Sequence, residues 1–564
     1  MSARSSVAEV VGRALVDGGV DHVFGVVGSG NFHVTNAMVA AGARFVAARH
    51  EGGAATMADA FARTTDRPAA VTVHQGCGLT NAMTGITEAA KSRTPVVVVA
   101  AEATEPRSNF FVDQEALARA VGAVPMRVDD PATAAAIAAD AVRTAVTTRR
   151  TVLLNLPLAV QPRQAMQAMQ VPARSGTSPR SRRELSRPEQ PGELPLGPRR
   201  SPTSAVERLA DAVRRAERPV FVAGRGARGD GPAVAEVADR SGALLAESAV
   251  AKGLFAGHPW SLGVSGGFAS PGAADLIRGA DLIVGWGCAL NMWTMRHGTL
   301  IAPDATVVQV DDTLEALGAH RDLTFGVHGD VGLTATALAG LLEARTGYRT
   351  ADVRRRLETG IAWSAEPFDD LGGNGLIDPR TLSRELDALL PEDRVVAVDS
   401  GNFMGYPAAY LGVRDHHSFC FTQAFQSIGL GLATAIGAAV ASPGRLTVAA
   451  LGDGGALMSA MELETVVRLG LDLLVVVYDD HAYGAEVHHF GPDGAPLDTV
   501  VFPDTDIAAI GRGFGLDSVT VRSSADLDAV RAWLDAGRPR PMLVDAKVVD
   551  SEPSWWLEEA FRGH

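Results

Sequence analysis

The sequence predicts an α/β protein made of three doubly wound parallel-sheet domains. Three observations carry that reading. At 564 residues the chain exceeds what a single hydrophobic core usually supports. Short apolar runs alternate with helical patterns in three separate stretches, as in parallel sheets whose crossover helices cover both faces. Finally, Gly452-Asp453-Gly454 lies between an apolar run and a helical one, and the next apolar run ends in Tyr478-Asp479-Asp480-His481-Ala482-Tyr483-Gly484. Strand, turn, helix, strand is a β-α-β unit, which brings both loops to the carboxyl edge of one sheet.

The first domain is expected over 1–171, with strands at 20–27, 69–73, 95–100 and 151–156. Residues 172–202 break the pattern. They are rich in Pro, Arg, Ser and Gly, carry no periodic apolar face, and read as an exposed basic linker. No aromatic side chains interleave its arginines, so it reads as a solvated connector and not as a nucleic-acid patch. The central domain, 203–345, opens on a strand at 219–223 followed by Gly224-Arg225-Gly226-Ala227-Arg228-Gly229. Glu247 lies near the twenty-residue distance, roughly, at which a carboxylate meets a dinucleotide ribose. Because glycine supplies 60 of the residues, such a pattern also arises by chance. The third domain spans 346–564, with strands at 394–398, 445–451 and 471–478 and a helix at 458–469. Its tail carries Trp555, Trp556 and Phe561, which are expected to pack on the body or to close over a site.

Composition narrows the function. An apolar share of 46% and a charged share of 21% are those of a globular protein. The formal net charge of -14 argues against nucleic acid as a partner, since phosphate contact needs a basic face. Three cysteines, Cys77, Cys288 and Cys420, build neither a disulfide framework nor a clustered metal site. With no signal-peptide pattern and no apolar span of about 20 residues, a cytoplasmic protein without membrane contact is expected.

The chemistry concentrates at the two acidic loops. Mg2+ takes oxygen ligands in near-octahedral geometry and shares them with phosphates, so Asp453 and Asp480 meeting at one sheet edge read as a metal-diphosphate anchor. This pattern resembles the signature of thiamine-diphosphate (ThDP) enzymes, in which Gly-Asp-Gly is followed by an Asn-Asn pair; here the pair is Asp479-Asp480. The resemblance implies Asp453, Asp480 and the carbonyl of Ala482 as Mg2+ ligands. It also implies cofactor contacts from Gly452, Gly454, Gly455, Tyr483 and Gly484.

Further segments match the same family. Arg49-His50-Glu51-Gly52-Gly53 resembles the stretch carrying its catalytic glutamate, so Glu51 inherits that role. A carboxyl group on N1′ of the aminopyrimidine favours the imino tautomer, whose N4′ removes the thiazolium C2 proton. Gln423 to Gly431 resembles the segment that bends the cofactor, with Ile428 as the wedge, Gln426, Ser427 and Ile428 along the aminopyrimidine, and Gly401-Asn402 near the diphosphate. The fold implied is a pyrimidine-binding domain, a central Rossmann-like domain and a diphosphate-binding domain, assembled as a homodimer or homotetramer with active sites at the subunit interface. In the acetolactate synthase branch the central domain binds FAD, but that branch's Phe-Asp-Asp-Arg element is missing from the stretch beginning at Gly285, which argues against FAD.

Substrate contacts are expected from loops around the thiazolium. Gln114 aligns with a glutamine that holds a carbonyl or intermediate, and His33, His74 and Gln75 are candidates for proton relay or oxyanion contact. Asn31, Cys77, Glu486, His488 and His489 are further substrate candidates, the last three read as a wall strand on which adjacent histidines face opposite ways. The expected activity is cleavage and formation of a carbon-carbon bond on a 2-oxo acid such as pyruvate, in the manner of acetolactate synthase. Simple 2-oxo acid decarboxylation and acyloin lyase activity are the alternatives within the family, with an aldehyde or ketone as a possible second substrate. A dinucleotide-dependent oxidoreductase using Gly224 to Gly229, and a catalytically silent binding protein, are the alternatives outside it.

Overall fold

The computed structural model describes residues 5–165, 198–550 and 554–560. It contains three sheets of six strands, in which the strand pairings are parallel. The first sheet runs from the strand His22–Gly25 to Val152–Pro157, the second from Pro219–Ala223 to Phe325–His328, the third from Arg394–Val398 to Met542–Lys547. Numbered within its own sheet, the strand order is 2-1-3-4-6-5 in both the first and third sheets and 6-5-4-1-2-3 in the second. The outer domains thus share one topology, and the middle one has the Rossmann order read from its far edge.

Local sequence explains these strands. Val96–Glu102 reads Val-Val-Val-Val-Ala-Ala-Glu and is buried along its whole length, as a strand covered on both faces must be. The expected strands at 69–73 and 394–398 coincide with Ala69–Val73 and Arg394–Val398, while that at 20–27 contracts to His22–Gly25. The helix expected at 458–469 begins earlier, as Asp453–Ser459, and passes through a 3-10 turn, Ala460–Glu462, into Leu463–Leu469.

Two expectations about domain limits change. Residues 166–197, most of the proposed linker, lie outside the described residues. The central domain does not end at 345. Tyr348 and Val353 bury into the same core as Leu276 and Ile277, so the helix Ala351–Glu358 still belongs to the middle sheet.

The first and third domains are fused through one hydrophobic cluster that includes Ala54, Ala58, Leu432 and Ile436. Helix Glu51–Thr65 crosses helix Gly431–Ala441 so closely that a Cβ at Gly437 would collide with the Met57 carbonyl. Small residues are required wherever helix backbones approach this way.

The geometry of the middle domain gives the glycines and Glu247 of the dinucleotide reading structural partners. Gly224 N donates to the Trp286 carbonyl at 2.9 Å and Gly226 N to the Gly287 carbonyl at 3.0 Å, while a Cβ on Gly226 would sit 2.8 Å from Gly287 Cα. Gly224 and Gly226 therefore pack against a neighbouring strand end. The Glu247 carboxylate accepts from the backbone N–H groups of Gly253 at 2.6 Å and Phe255 at 3.0 Å, which commits it to a loop. Arg228 from the same motif donates to the carbonyls of Arg63 and His416 at 2.8 and 3.0 Å, tying the middle domain to the other two.

The tail takes the packing option. Trp556 is fully buried against Phe268 and Tyr406, and Trp555 stacks on Trp363 at 4.4 Å; Phe561 lies outside the described residues. Among the described residues no helix is long and apolar enough to cross a membrane.

Candidate active site at two sheet edges

At the carboxyl edge of the first sheet, His50 caps the helix Glu51–Thr65 by accepting the Gly52 N–H on Nδ1 at 3.0 Å. Glu51 is therefore the first helical residue, half-buried, with Oε2 accepting from Asn81 Nδ2 at 3.1 Å. The next loop brings His74, Gly76 and Cys77 to the same edge. Gly76 has φ 63°, and a Cβ there would collide with the Phe110 carbonyl, so only glycine fits. His74 is half-buried, with Nδ1 on the Gln75 carbonyl at 3.1 Å and Nε2 on Ser29 Oγ at 3.4 Å.

Three expected substrate residues are placed differently. Asn31, Gln75 and Gln114 are buried. Asn31 bonds the Gly28 N–H at 2.8 Å, the Val26 carbonyl at 3.1 Å and Thr72 Oγ1 at 3.0 Å. Gln114 bonds Asn155 Oδ1 at 2.8 Å and the Gly76 N–H at 3.4 Å. Asn31 and Gln114 shape the loops from behind through these bonds, whereas the buried Gln75 Oε1 has no hydrogen-bond partner. His33 and Cys77, by contrast, are exposed.

The third sheet supplies the acidic half. Strands Leu446–Gly452 and Leu473–Asp479 are neighbours with Gly452 opposite Tyr478, so Asp453 and Asp480 emerge side by side at the sheet edge. Burial, then the charges of Asp480 and Asp479, push Asp453 up to about 8. Burial likewise pushes Asp480 up to about 7. Two neighbouring carboxyls raised in this way suit a cation between them. Asp480 also accepts the Ala482 N–H at 3.3 Å, and a Cβ on Gly484 would collide with its Oδ2.

The extra negative charge of Asp479, the departure from Asn-Asn, has a local answer. Lys547, 1% exposed, donates from Nζ to Asp479 Oδ2 at 2.5 Å and to the Thr505 carbonyl at 2.8 Å, and pairs with Asp504 at 2.8 Å and Asp545 at 3.2 Å. Asp479 is thus spoken for, and Asp480 is the member of the pair that faces the Asp453 side.

Around this centre lie the other expected cofactor residues. Gly401 has φ 141°, and Asn402 accepts on Oδ1 from Ser554 Oγ at 2.5 Å. Gln426, at φ 62°, occupies the left-handed region, and Ser427 and Ile428 are half-exposed, so Ile428 is not a core residue. The Tyr483 ring lies beside Gly454 and meets Phe502 edge-on at 5.0 Å. Asp453, Gly454, Leu457, Met458, Tyr483 and Phe502 line a cleft of ≈ 330 Å3.

The strand expected around Glu486 is a helix, Gly484–Phe490. Its acid stands early and its histidines late, the order that suits a helix dipole. His488 and His489 therefore do not alternate across a strand. Burial lowers the pKa of His488, whose buried Nε2 has no hydrogen-bond partner; His489 meets Phe490, and Glu486 is exposed.

Sequence reasoning passed over Asp399, Glu88 and Glu462. Asp399 accepts the N–H groups of Ser400 and Gly429 at 2.9 Å and of Leu430 at 3.2 Å, and so anchors the turn after Ile428; burial pushes it up to about 6. The available signal was an acid on an otherwise apolar strand end or helix face, which must find partners inside.

These residues fit Mg2+ and a diphosphate: the carboxyls of Asp453 and Asp480 stand side by side at the sheet edge, and the half-exposed glycines 452 and 454 leave backbone accessible beside them. Comparison with known proteins agrees. Residues 5–126 match the thiamine pyrophosphate enzyme N-terminal TPP binding domain, 206–338 the central domain and 399–546 the C-terminal TPP binding domain. A sulfoacetaldehyde acetyltransferase of Castellaniella defragrans is 30% identical over 85% of this chain and 82% of its own length. A catabolic acetolactate synthase of Raoultella terrigena is 26% identical over 96% of this chain and 95% of its own, and a probable 2-ketoarginine decarboxylase of Pseudomonas aeruginosa 28% over 93% and 90%. The solved structure of a thiamine diphosphate-dependent 4-hydroxybenzoylformate decarboxylase from Rhodococcus jostii superposes with a TM-score of 0.76 at 20% identity, covering 97% of this chain and 100% of that one. With motifs, fold and family models in agreement from end to end, the chain belongs to the ThDP-dependent enzymes of the acetolactate synthase-like superfamily.

Proposed function

We propose that this chain decarboxylates a 2-oxo acid such as pyruvate and joins the remaining two-carbon unit to a second carbonyl, as acetolactate synthases do. The observation that carries the reading is the pairing of Glu51, half-buried at one sheet edge, with the facing carboxyls Asp453 and Asp480 at the edge of a sheet of the same topology. ThDP, when bound, supplies an electron sink for the carbon that loses CO2. The protein does the rest. Asp453, Asp480 and the Ala482 carbonyl would hold Mg2+, which would neutralise the diphosphate. The half-exposed Ile428 would supply an apolar side chain against the cofactor. Glu51 holds a proton at N1′ of the aminopyrimidine, and Asn81 fixes its carboxylate. His33, His74 and Cys77 line the approach, where His74 offers an imidazole for proton transfer. The enzyme works in the cytoplasm as a homodimer or homotetramer in which each site joins a first domain to another chain's third domain.

Simple decarboxylation is the second reading. His488 favours it, because its buried Nε2, without a partner in the protein, is open to a proton relay that ends the reaction as an aldehyde. Product analysis separates the two. The Mg2+-ThDP enzyme is given pyruvate and a panel of acceptors including sulfoacetaldehyde, the aldehyde in the name of several relatives. CO2 release with a ligated product supports the main reading, and CO2 with free acetaldehyde supports the second. No CO2 from pyruvate or any other 2-oxo acid overturns both.

A further inference from the structure

We propose that Glu462 and Glu88 are reciprocal positioning residues, each reaching from one domain to fix the backbone beside a cofactor-handling residue of the other. Glu462 belongs to the third domain and follows the helix that starts at Asp453. At 3% exposure, its Oε1 accepts the backbone N–H groups of Arg49 at 3.0 Å and His50 at 3.1 Å, directly before Glu51. Thr465 Oγ1 holds Oε2 at 2.7 Å, and a Cβ on Gly53 would lie only 2.6 Å from Oε1, so this approach requires glycine there.

Glu88 belongs to the first domain and is fully buried. Its Oε1 accepts the Ala424 N–H at 3.1 Å and its Oε2 the Phe425 N–H at 2.6 Å, directly before Gln426. Arg63 donates to Oε1 at 2.6 Å and to the Phe421 carbonyl at 2.9 Å, which fixes both ends of the segment entering the turn. Burial alone would raise the Glu88 pKa, but Arg63 and the two N–H groups hold it below the usual carboxylate range.

A structural role alone does not account for where these carboxylates land. Both end on backbone N–H groups one or two residues from a group with a cofactor task, and Gln426 at φ 62° is a conformation that persists only when its surroundings over-determine it. Both also cross the same contact, where helix Glu51–Thr65 meets helix Gly431–Ala441. Glu462 sets the angle at which Glu51 leaves its helix, and Glu88 sets the loop from Gln426 to Ile428. The inference rests on the proposed roles of Glu51 and Gln426 to Ile428.

The test measures two quantities on Mg2+-ThDP-loaded protein, ThDP affinity and the rate of C2-proton exchange on bound ThDP. Glu462→Ala is expected to slow exchange by on the order of tenfold to a hundredfold with ThDP affinity nearly unchanged. Glu462→Gln, which keeps one acceptor oxygen, restores it. Glu88→Ala is expected to weaken ThDP by about tenfold while leaving inorganic diphosphate binding unchanged, because the metal anchor is untouched. Wild-type exchange in Glu462→Ala, or equal loss of ThDP and diphosphate binding in Glu88→Ala, overturns the proposal. If an alanine variant does not fold, Glu462→Asp or Glu88→Asp keeps the charge but withdraws the oxygens and takes its place. Amide hydrogen exchange on the cofactor-free protein separates the two levels of argument. Protection at 49–50 and 424–425 that is lost in the matching variant supports the clamps even if ThDP does not bind, and unprotected amides there in the wild type refute them.

Discussion

Asp453 and Asp480 sit as close neighbours in a site whose burial raises both above the usual carboxylate range, while Asp479, next to Asp480, is bound to Lys547. That division of labour lets an Asp-Asp pair stand where the family has Asn-Asn. It also makes Lys547 indispensable. Lys547→Met is expected to destabilise the fold by about 3–5 kcal/mol, because it leaves Asp545 buried without its cation and Asp479 with His481 alone; denaturant unfolding measures this. At the other sheet edge Glu51→Gln keeps the shape of the side chain but not its acid. CO2 release is expected to fall by about 10²–10⁴-fold while ThDP still binds, as read by steady-state assay beside a binding titration. Both acids were legible in the sequence because motif and chemistry coincide there. Glu88, Glu462 and Asp399 were not, since their partners are backbone N–H groups hundreds of residues away or beyond a strand end, which no local pattern encodes.

At the scale of elements, strands were read well where both faces are covered, as at Ala69–Val73 and Arg394–Val398, because a continuous apolar run has few other uses. The segment Gly484–Phe490 was misread as strand. Its seven residues are too few for periodicity to decide, and the histidines near its end suit a helix. The Gly224 to Gly229 turn is ambiguous for another reason: tight strand-to-helix turns need glycine whether or not a phosphate binds. Glu247 beside it carries a pH signature. Burial pushes it from 4.5 up to about 7 against the pull of two loop N–H groups. A raised acid favours the folded state below its unfolded pKa, and that contribution disappears as pH rises through the folded value. Stability is therefore expected to fall by up to about 3 kcal/mol between pH 4.5 and 7 through this group alone. Glu247→Gln flattens that part of the stability-pH curve, which melting temperatures across the range record.

Both sheet edges that carry the candidate site are flanked by apolar side chains that a lone chain leaves in water. Phe32, Phe110 and Phe111 stand exposed on the first domain, and Phe425, Met458 and Met461, the last 63% exposed, on the third. Such patches flanking catalytic groups suit a second copy of the chain. If each site takes Glu51 from one chain and Asp453 from another, mixing the inactive variants Glu51→Gln and Asp453→Ala regenerates one intact site per hybrid dimer. Remixed subunits are then expected to recover roughly a quarter of wild-type activity, whereas sites built within one chain recover none. The three-domain plan itself was visible from alternating strands and helices, but the second boundary was not, because the helix Ala351–Glu358 is short and its attachment to the middle core is a tertiary fact.

The central claim is that the paired carboxyls of the third sheet hold ThDP through a divalent metal. Calorimetric titration of ThDP into the wild type and Asp453→Ala, each with and without Mg2+, tests it most directly. The account predicts tight binding by the wild type only when Mg2+ is present, and its loss in Asp453→Ala. Binding that ignores Mg2+, or that survives Asp453→Ala unchanged, would contradict it.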